Sequence, residues 1–92
     1  MIISFKHKGL EKFYRTGNTA GIQAKHAKRL KLILSNLDQA ECISDMDLPG
    51  LKLHHLIGQR KGLWSVTVSG NWRITFRFIG RDAELINYED YH

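Results

Sequence analysis

Apolar positions along this chain change their period near its middle. In the first half, Leu10, Phe13 and Tyr14 fall at i, i+3 and i+4 with Gly17 behind them, which predicts a short helix over about 7–16. Across residues 23–37, Ala27, Leu30, Ile33, Leu34 and Leu37 make one stripe at the helical period, so a second helix buries that stripe. Residues 1–5 form a short apolar run that reads as an edge strand, and TGNTAG reads as a turn. After Pro49 the period drops to two. GLKLHHL, LWSVTV, NWRITFRF and AELINYED read as four strands, with Gly58 and Gly62, Gly70, and Gly80 in the turns between them. Helices followed by hairpins predict an α+β fold, with the N-terminal strand and two helices packed on one face of a twisted antiparallel sheet.

Strand parity sorts the side chains. Trp72, Ile74, Phe76 and Phe78 share a face, and Arg73, Thr75 and Arg77 share the other. A three-residue loop of Ser69, Gly70 and Asn71 sets Val68 against Trp72, Val66 against Ile74 and Trp64 against Phe76. A two-residue loop would set Val66 against Arg73 and split the core, so the longer loop is preferred. The same logic at Gly80, Arg81 and Asp82 sets Phe76 against Ile86, Ile74 against Tyr88 and Arg73 against Glu89, with Tyr91 diagonal to Arg73. Leu51 and Leu53 point inward, so Lys52 and His54 point outward, and His55 takes the core-facing parity. The sheet then has an apolar face for the helices and a polar face carrying His54, Arg73, Arg77 and Tyr91. Trp64 and Trp72 sit on the apolar parity and read as core.

Ninety-two residues, 42% of them hydrophobic and 25% charged, suit one domain over 1–92. No apolar run approaches the roughly 18 residues of a spanning helix, and Lys6, His7 and Lys8 break any signal-peptide reading. The lone Cys42 has no second cysteine for a disulfide or a zinc site, which fits a cytoplasmic protein. The formal net charge is +5, and the signs are segregated: Lys6, Lys8, Lys12, Arg15, Lys25, Lys28, Arg29 and Lys31 come before every acid except Glu11. Lys25, Lys28 and Arg29 lie outside the apolar stripe and face solvent or a partner. A basic half of this kind suits a polyanion as well as it suits plain solvation.

The polar face has the residue types that metal-free RNA cleavage needs. A base must take the 2′-OH proton, a cation must stabilise the phosphate, and an acid must protonate the leaving 5′-oxygen. Arg73 suits the cation because a guanidinium stays charged and grips phosphate oxygens in pairs. His54 and His92 suit proton transfer near neutral pH. Tyr91 can stack on a base or donate a hydrogen bond. The α-carboxylate beside the His92 ring favours imidazolium, an expectation that suits an acid more than a base. Each has a plainer reading: Arg73 beside Glu89 is also a cross-strand ion pair, His54 an exposed strand residue, and Tyr91-His92 an idle tail. No phosphate-binding loop, HExxH or CxxC motif occurs, so neither a cofactor nor a metal is expected.

The stretch GLWSVTVSGNWRITFRF followed by INYEDYH, with KLHHLIGQRKG before it, resembles the HigB toxins of bacterial toxin–antitoxin pairs, within the RelE/ParE superfamily. The resemblance runs from ISFKHKGLEKFY to the terminal DYH. It implies a microbial-ribonuclease-like RelE fold and a toxin that enters the ribosomal A site and cuts mRNA during translation. It also implies a HigA-like antitoxin whose helix-turn-helix contacts operator DNA, the toxin reaching that DNA only through its partner. His54, Arg73, Asp90, Tyr91 and His92 match the active-site positions of the family. In the ribosome-bound state, Lys6, Lys8, Lys25, Lys28, Arg29, Arg60, Lys61 and Arg77 are candidates for RNA phosphates. One departure concerns the HPLKG turn of close relatives, which here is HHLIG, so Ile57 stands where they have lysine. The resemblance therefore implies weakened cleavage unless Arg60 or Lys61 supplies the missing cation. A ParE-like toxin that binds DNA gyrase and cleaves nothing, and a non-catalytic RNA-binding module, remain alternative readings.

Overall fold

The computed structural model describes residues 1–60 and 62–91. Helix α1 spans Lys8–Thr16, and its ends are set locally. The His7 Nδ1 accepts the Leu10 N–H at 2.9 Å, and Gly17, at φ 80°, returns its N–H to the Phe13 carbonyl at 2.8 Å. Helix α2 spans Ala27–Gln39 and is entered through a 3-10 turn at Ala24–His26. The chain between these helices crosses α1 at close range. A Cβ on Gly9 would lie 2.6 Å from the Gly21 carbonyl oxygen, and one on Gly21 would lie 2.6 Å from the Gly9 Cα. Only two bare backbones fit there.

Four antiparallel strands follow in spatial order: β1 (His54–His55), β2 (Trp64–Ser69), β3 (Trp72–Ile79) and β4 (Asp82–Asp90). Leu10 and Phe13 of α1 and the α2 stripe share one core with Val66, Val68, Ile74, Phe76, Ile86 and Tyr88. Burying each of the larger side chains contributes roughly 1.5–3 kcal/mol, so this face anchors the helices to the sheet. The fold is α+β, as the change of period predicts.

The core register agrees with strand parity: Trp64 opposes Phe76, Val66 opposes Ile74, Ile74 opposes Tyr88 and Arg73 opposes Glu89. The loops differ from expectation. Ser69 pairs with Trp72, so the turn has two residues, and Val68 is the extra residue of a bulge. That bulge restores the register which a regular two-residue hairpin would break. The β3–β4 turn is likewise short, with Ile79 opposite Asp82. Between Thr75–Asn87 and Arg77–Glu84 a second bulge places Leu85 at φ 54°.

The two outermost strands also depart from expectation. Residues 1–5 make two isolated parallel bridges, Ile2 to Ala83 and Phe5 to Ile86, in place of a continuous strand. The bulge at Leu85 lies between these points and interrupts the ladder. Before His54, Lys52 takes φ 51°, which no strand accommodates, so β1 keeps only two residues. Leu51 is buried, as expected.

Candidate functional site at the sheet end

The alternate strand positions form the second face of the sheet. Across it run two rows, His54–Ser65–Thr75–Asn87 and Thr67–Arg73–Glu89. The face is not uniformly open. Ser65 and Thr75 are buried, whereas His54 is exposed and Arg73, Glu89 and Tyr91 are half-buried. Antiparallel pairing therefore brings His54 and Arg73 to the same face, two strand spacings of roughly 5 Å and two residues along the strand apart.

The turn between β2 and β3 organises one end of this face. Gly70 adopts φ 53°, which lets the chain reverse in two residues. Its carbonyl accepts from Arg73 Nη1 at 2.6 Å, and the Trp72 carbonyl accepts from the same nitrogen at 3.0 Å. The Asn71 carbonyl accepts the Tyr91 N–H at 2.8 Å, so the same turn holds both candidate residues. Asp90 lies opposite Trp72, exposed, and its charge reaches the Tyr88 hydroxyl.

A second guanidinium joins them from the 3-10 turn at Gly58–Arg60. Arg60 Nη1 donates to the Tyr91 hydroxyl at 2.8 Å, and Nη2 donates to Glu89 in a short ion pair. The Arg60 and Arg73 guanidinium carbons lie 5.4 and 5.9 Å from the Tyr91 ring centroid. The Thr75 hydroxyl donates to the same Glu89 oxygen at 2.7 Å. Burial would raise the Glu89 carboxyl, but hydrogen bonds from Arg60 and Thr75 and the charges of Arg60 and Lys6 hold it below the usual range. The hydrogen bond to Glu89 in turn raises the Arg60 pKa further, despite partial burial.

These partners correct two expectations. Glu89, opposite Arg73, is paired with Arg60 and not with Arg73, so the cross-strand ion pair read for Arg73 gives way to turn carbonyls. Arg29, expected to face solvent or a partner, instead donates to the Val68, Thr67 and Gly50 carbonyls at 3.1, 3.2 and 2.7 Å. Two of these carbonyls belong to the β2 bulge, and the third, of Gly50, precedes β1. Lys25 is exposed on the 3-10 turn and Lys28 on α2, while Lys8 is exposed at the start of α1 and Lys6 just before it. Arg77 pairs with Glu84 at 3.0 Å, away from Tyr91. Ile57 is 86% exposed. Lys61 and His92 lie outside the described residues.

Glu89 and Thr75 are the members of this arrangement that sequence reading missed. Parity placed both on the polar face, but Arg60 sits in a turn, where no period says which partner its long side chain meets. Among the described residues, no group of three or more His, Cys, Asp or Glu side chains is placed to hold a metal ion, and no helix is long and apolar enough to cross a membrane.

The chain has clear relatives. Over residues 3–92 it matches the family model of the HigB-like toxin, a RelE-like toxin of the type II toxin–antitoxin system HigB. It is 49% identical to the Endoribonuclease HigB of Proteus vulgaris, over the whole of both chains. It is 34% identical to Toxin HigB-1 of Vibrio cholerae serotype O1, covering all of this chain and 98% of that one. A sheet end that gathers two guanidinium groups around a tyrosine, and full-length similarity to these toxins, lead to one assignment. This chain belongs to the HigB-like toxins, the RelE-like members of type II toxin–antitoxin systems, and as such has an antitoxin as its partner.

Proposed function

We propose that this chain is an endoribonuclease that cuts mRNA on the translating ribosome, without a metal, and that a HigA-like antitoxin neutralises it. The observation that carries this reading is the convergence of Arg60 and Arg73 on Tyr91, at the end of a face that also holds His54. Two cations beside one aromatic ring suit a nucleotide, whose base stacks while its phosphate meets the guanidinium groups. The name of the Proteus relative, an endoribonuclease, supports it.

In the proposed reaction one imidazole, from His54 or His92, takes the 2′-OH proton. The 2′-oxygen attacks phosphorus and the bond to the 5′-oxygen breaks. A second proton donor on the same face delivers a proton to that oxygen, leaving a 2′,3′-cyclic phosphate and a 5′-OH. Arg73 and Arg60 stabilise the charge that builds on the phosphoryl oxygens. Asp90 precedes Tyr91 and His92 and belongs to the proposed catalytic group by family position. Lys6, Lys8, Lys25 and Lys28 hold rRNA phosphates, and the ribosome supplies the in-line geometry that a shallow face lacks.

Primer extension on a translated mRNA with purified ribosomes tests this reading. The parent chain is expected to give discrete cuts that Arg73→Ala and His92→Ala abolish. Growth arrest that survives both substitutions, with no cuts, would favour a gyrase-directed toxin. Function that tolerates His54→Ala and His92→Ala but fails when Lys25 and Lys28 are neutralised would favour an RNA-binding module.

A further inference from the structure

A half-buried acid is an unexpected neighbour for a phosphate site, since its charge opposes the ligand. Glu89 lies on the same face as Arg73, directly opposite it, and its charge subtracts from those of Arg60, Arg73 and Lys6. Its contacts offer a reason for its presence. One carboxylate oxygen accepts both the buried Thr75 hydroxyl, at 2.7 Å, and Arg60 Nη2. Thr75 is 1% exposed and pairs with Asn87 in the middle of β3, so this oxygen is held by a buried side chain of the sheet. Arg60, by contrast, comes from a short 3-10 turn and has a long, flexible side chain. Its other arm donates to the Tyr91 hydroxyl at 2.8 Å.

We infer that Glu89 is a positioning residue: with Thr75 it clamps one arm of the Arg60 guanidinium, so that the other arm holds Tyr91 and the remaining N–H groups face an incoming phosphate. Arg60 thereby serves as the cation that the Ile57 position lacks. This rests on the nuclease reading for its kinetic consequence, but not for its geometry. A guanidinium has five donors in a planar fork, so it can satisfy Glu89 and Tyr91 and still present N–H groups to a ligand. A lysine at the same position would supply charge without the fork.

Two opposed expectations separate positioning from plain electrostatics. If Glu89 merely repels RNA, Glu89→Gln binds the ribosome–mRNA complex more tightly and cleaves at least as fast. If Glu89 positions Arg60, Glu89→Gln lowers kcat by about a hundredfold while KM stays level or falls. Arg60→Ala should lose a similar factor, and the double variant should lose little more, because both act through one group. Arg60→Lys, which keeps the charge at an accessible position, should remain slow. Side-chain arginine NMR gives a readout independent of activity. The Arg60 Nη protons should be separately resolved in the parent and averaged in Glu89→Gln, with those of Arg73 unchanged. Undiminished kcat in Glu89→Gln, multiplying losses in the double variant, or an Arg60 signal indifferent to Glu89 would each overturn the inference. A parent chain that does not cleave would remove the nuclease reading, and the NMR comparison would then decide the clamp alone.

Discussion

His26 Nδ1 lies 2.5 Å from the Tyr88 hydroxyl, joining the turn that opens α2 to the C-terminal part of β4. Both residues are buried, and around them His7 and Trp72 pack at 5.5 and 4.5 Å from the Tyr88 ring. Burial raises the Tyr88 hydroxyl and lowers His26, which Lys25 lowers further, so a protonated hydroxyl meets a neutral ring and the tautomer of that ring sets which of them donates. His7, whose Nδ1 accepts at the start of α1, is also lowered by burial.

Acid should therefore weaken the packing of both helices on the sheet. Each histidine binds its proton less readily in the folded chain than in the unfolded one. The stability they contribute is complete above the ordinary histidine pKa of 6.5 and is lost as pH falls below it. Glu89, lowered on folding, adds a further loss at the lower pH where free carboxylates titrate. Urea unfolding followed by tryptophan fluorescence should show a midpoint that falls from pH 7.5 to 5.5. Tyr88→Phe should cost about 1–3 kcal/mol at pH 7.5 by leaving a buried ring nitrogen without its hydrogen-bond partner.

Gly9→Ala should destabilise by about 1–3 kcal/mol, because its methyl would meet the Gly21 backbone, which cannot rotate aside. Gly70→Asn provides the contrast. Among the described residues, nothing lies within 4 Å of a Cβ there, and asparagine tolerates the left-handed region, so the loss should be smaller. Thermal unfolding of the two variants, side by side, checks the order.

Arg29→Ala should lower stability by about 1–3 kcal/mol by freeing two carbonyls at the β2 bulge and that of Gly50. Arg29→Lys should not restore it, since one ammonium cannot bridge the three as a fork does. The salt dependence of RNA affinity should be unchanged in these variants. Lys25→Ala and Lys28→Ala should do the reverse, each flattening the log–log salt slope by roughly one unit or less with little effect on unfolding.

Ile57→Lys adds a cation at an 86% exposed position, so folding should be unaffected. A missing charged phosphate contact would cost on the order of 1.5–3 kcal/mol, or about one to two decades in rate. Arg60 already sits against Tyr91, so the expected gain is below about tenfold. Introduced into Arg60→Ala, the same lysine should restore more activity than it adds to the parent. Equal gains in both backgrounds would contradict a shared role.

By itself the sequence determined which face each residue takes within the regular elements. The helical stripe of α2, the pairs Trp64–Phe76 and Ile74–Tyr88, and the placing of Arg73 opposite Glu89 all follow from period and parity. Burying one face leaves a single workable register. Tertiary structure alone decided how that register was reached, by two-residue turns corrected through bulges at Val68 and Leu85, since a bulge leaves the alternation on either side intact. It also decided the partners of Arg29 and Arg60. Their long side chains leave the local period behind, and they bond to carbonyls and a carboxylate brought near by distant parts of the chain.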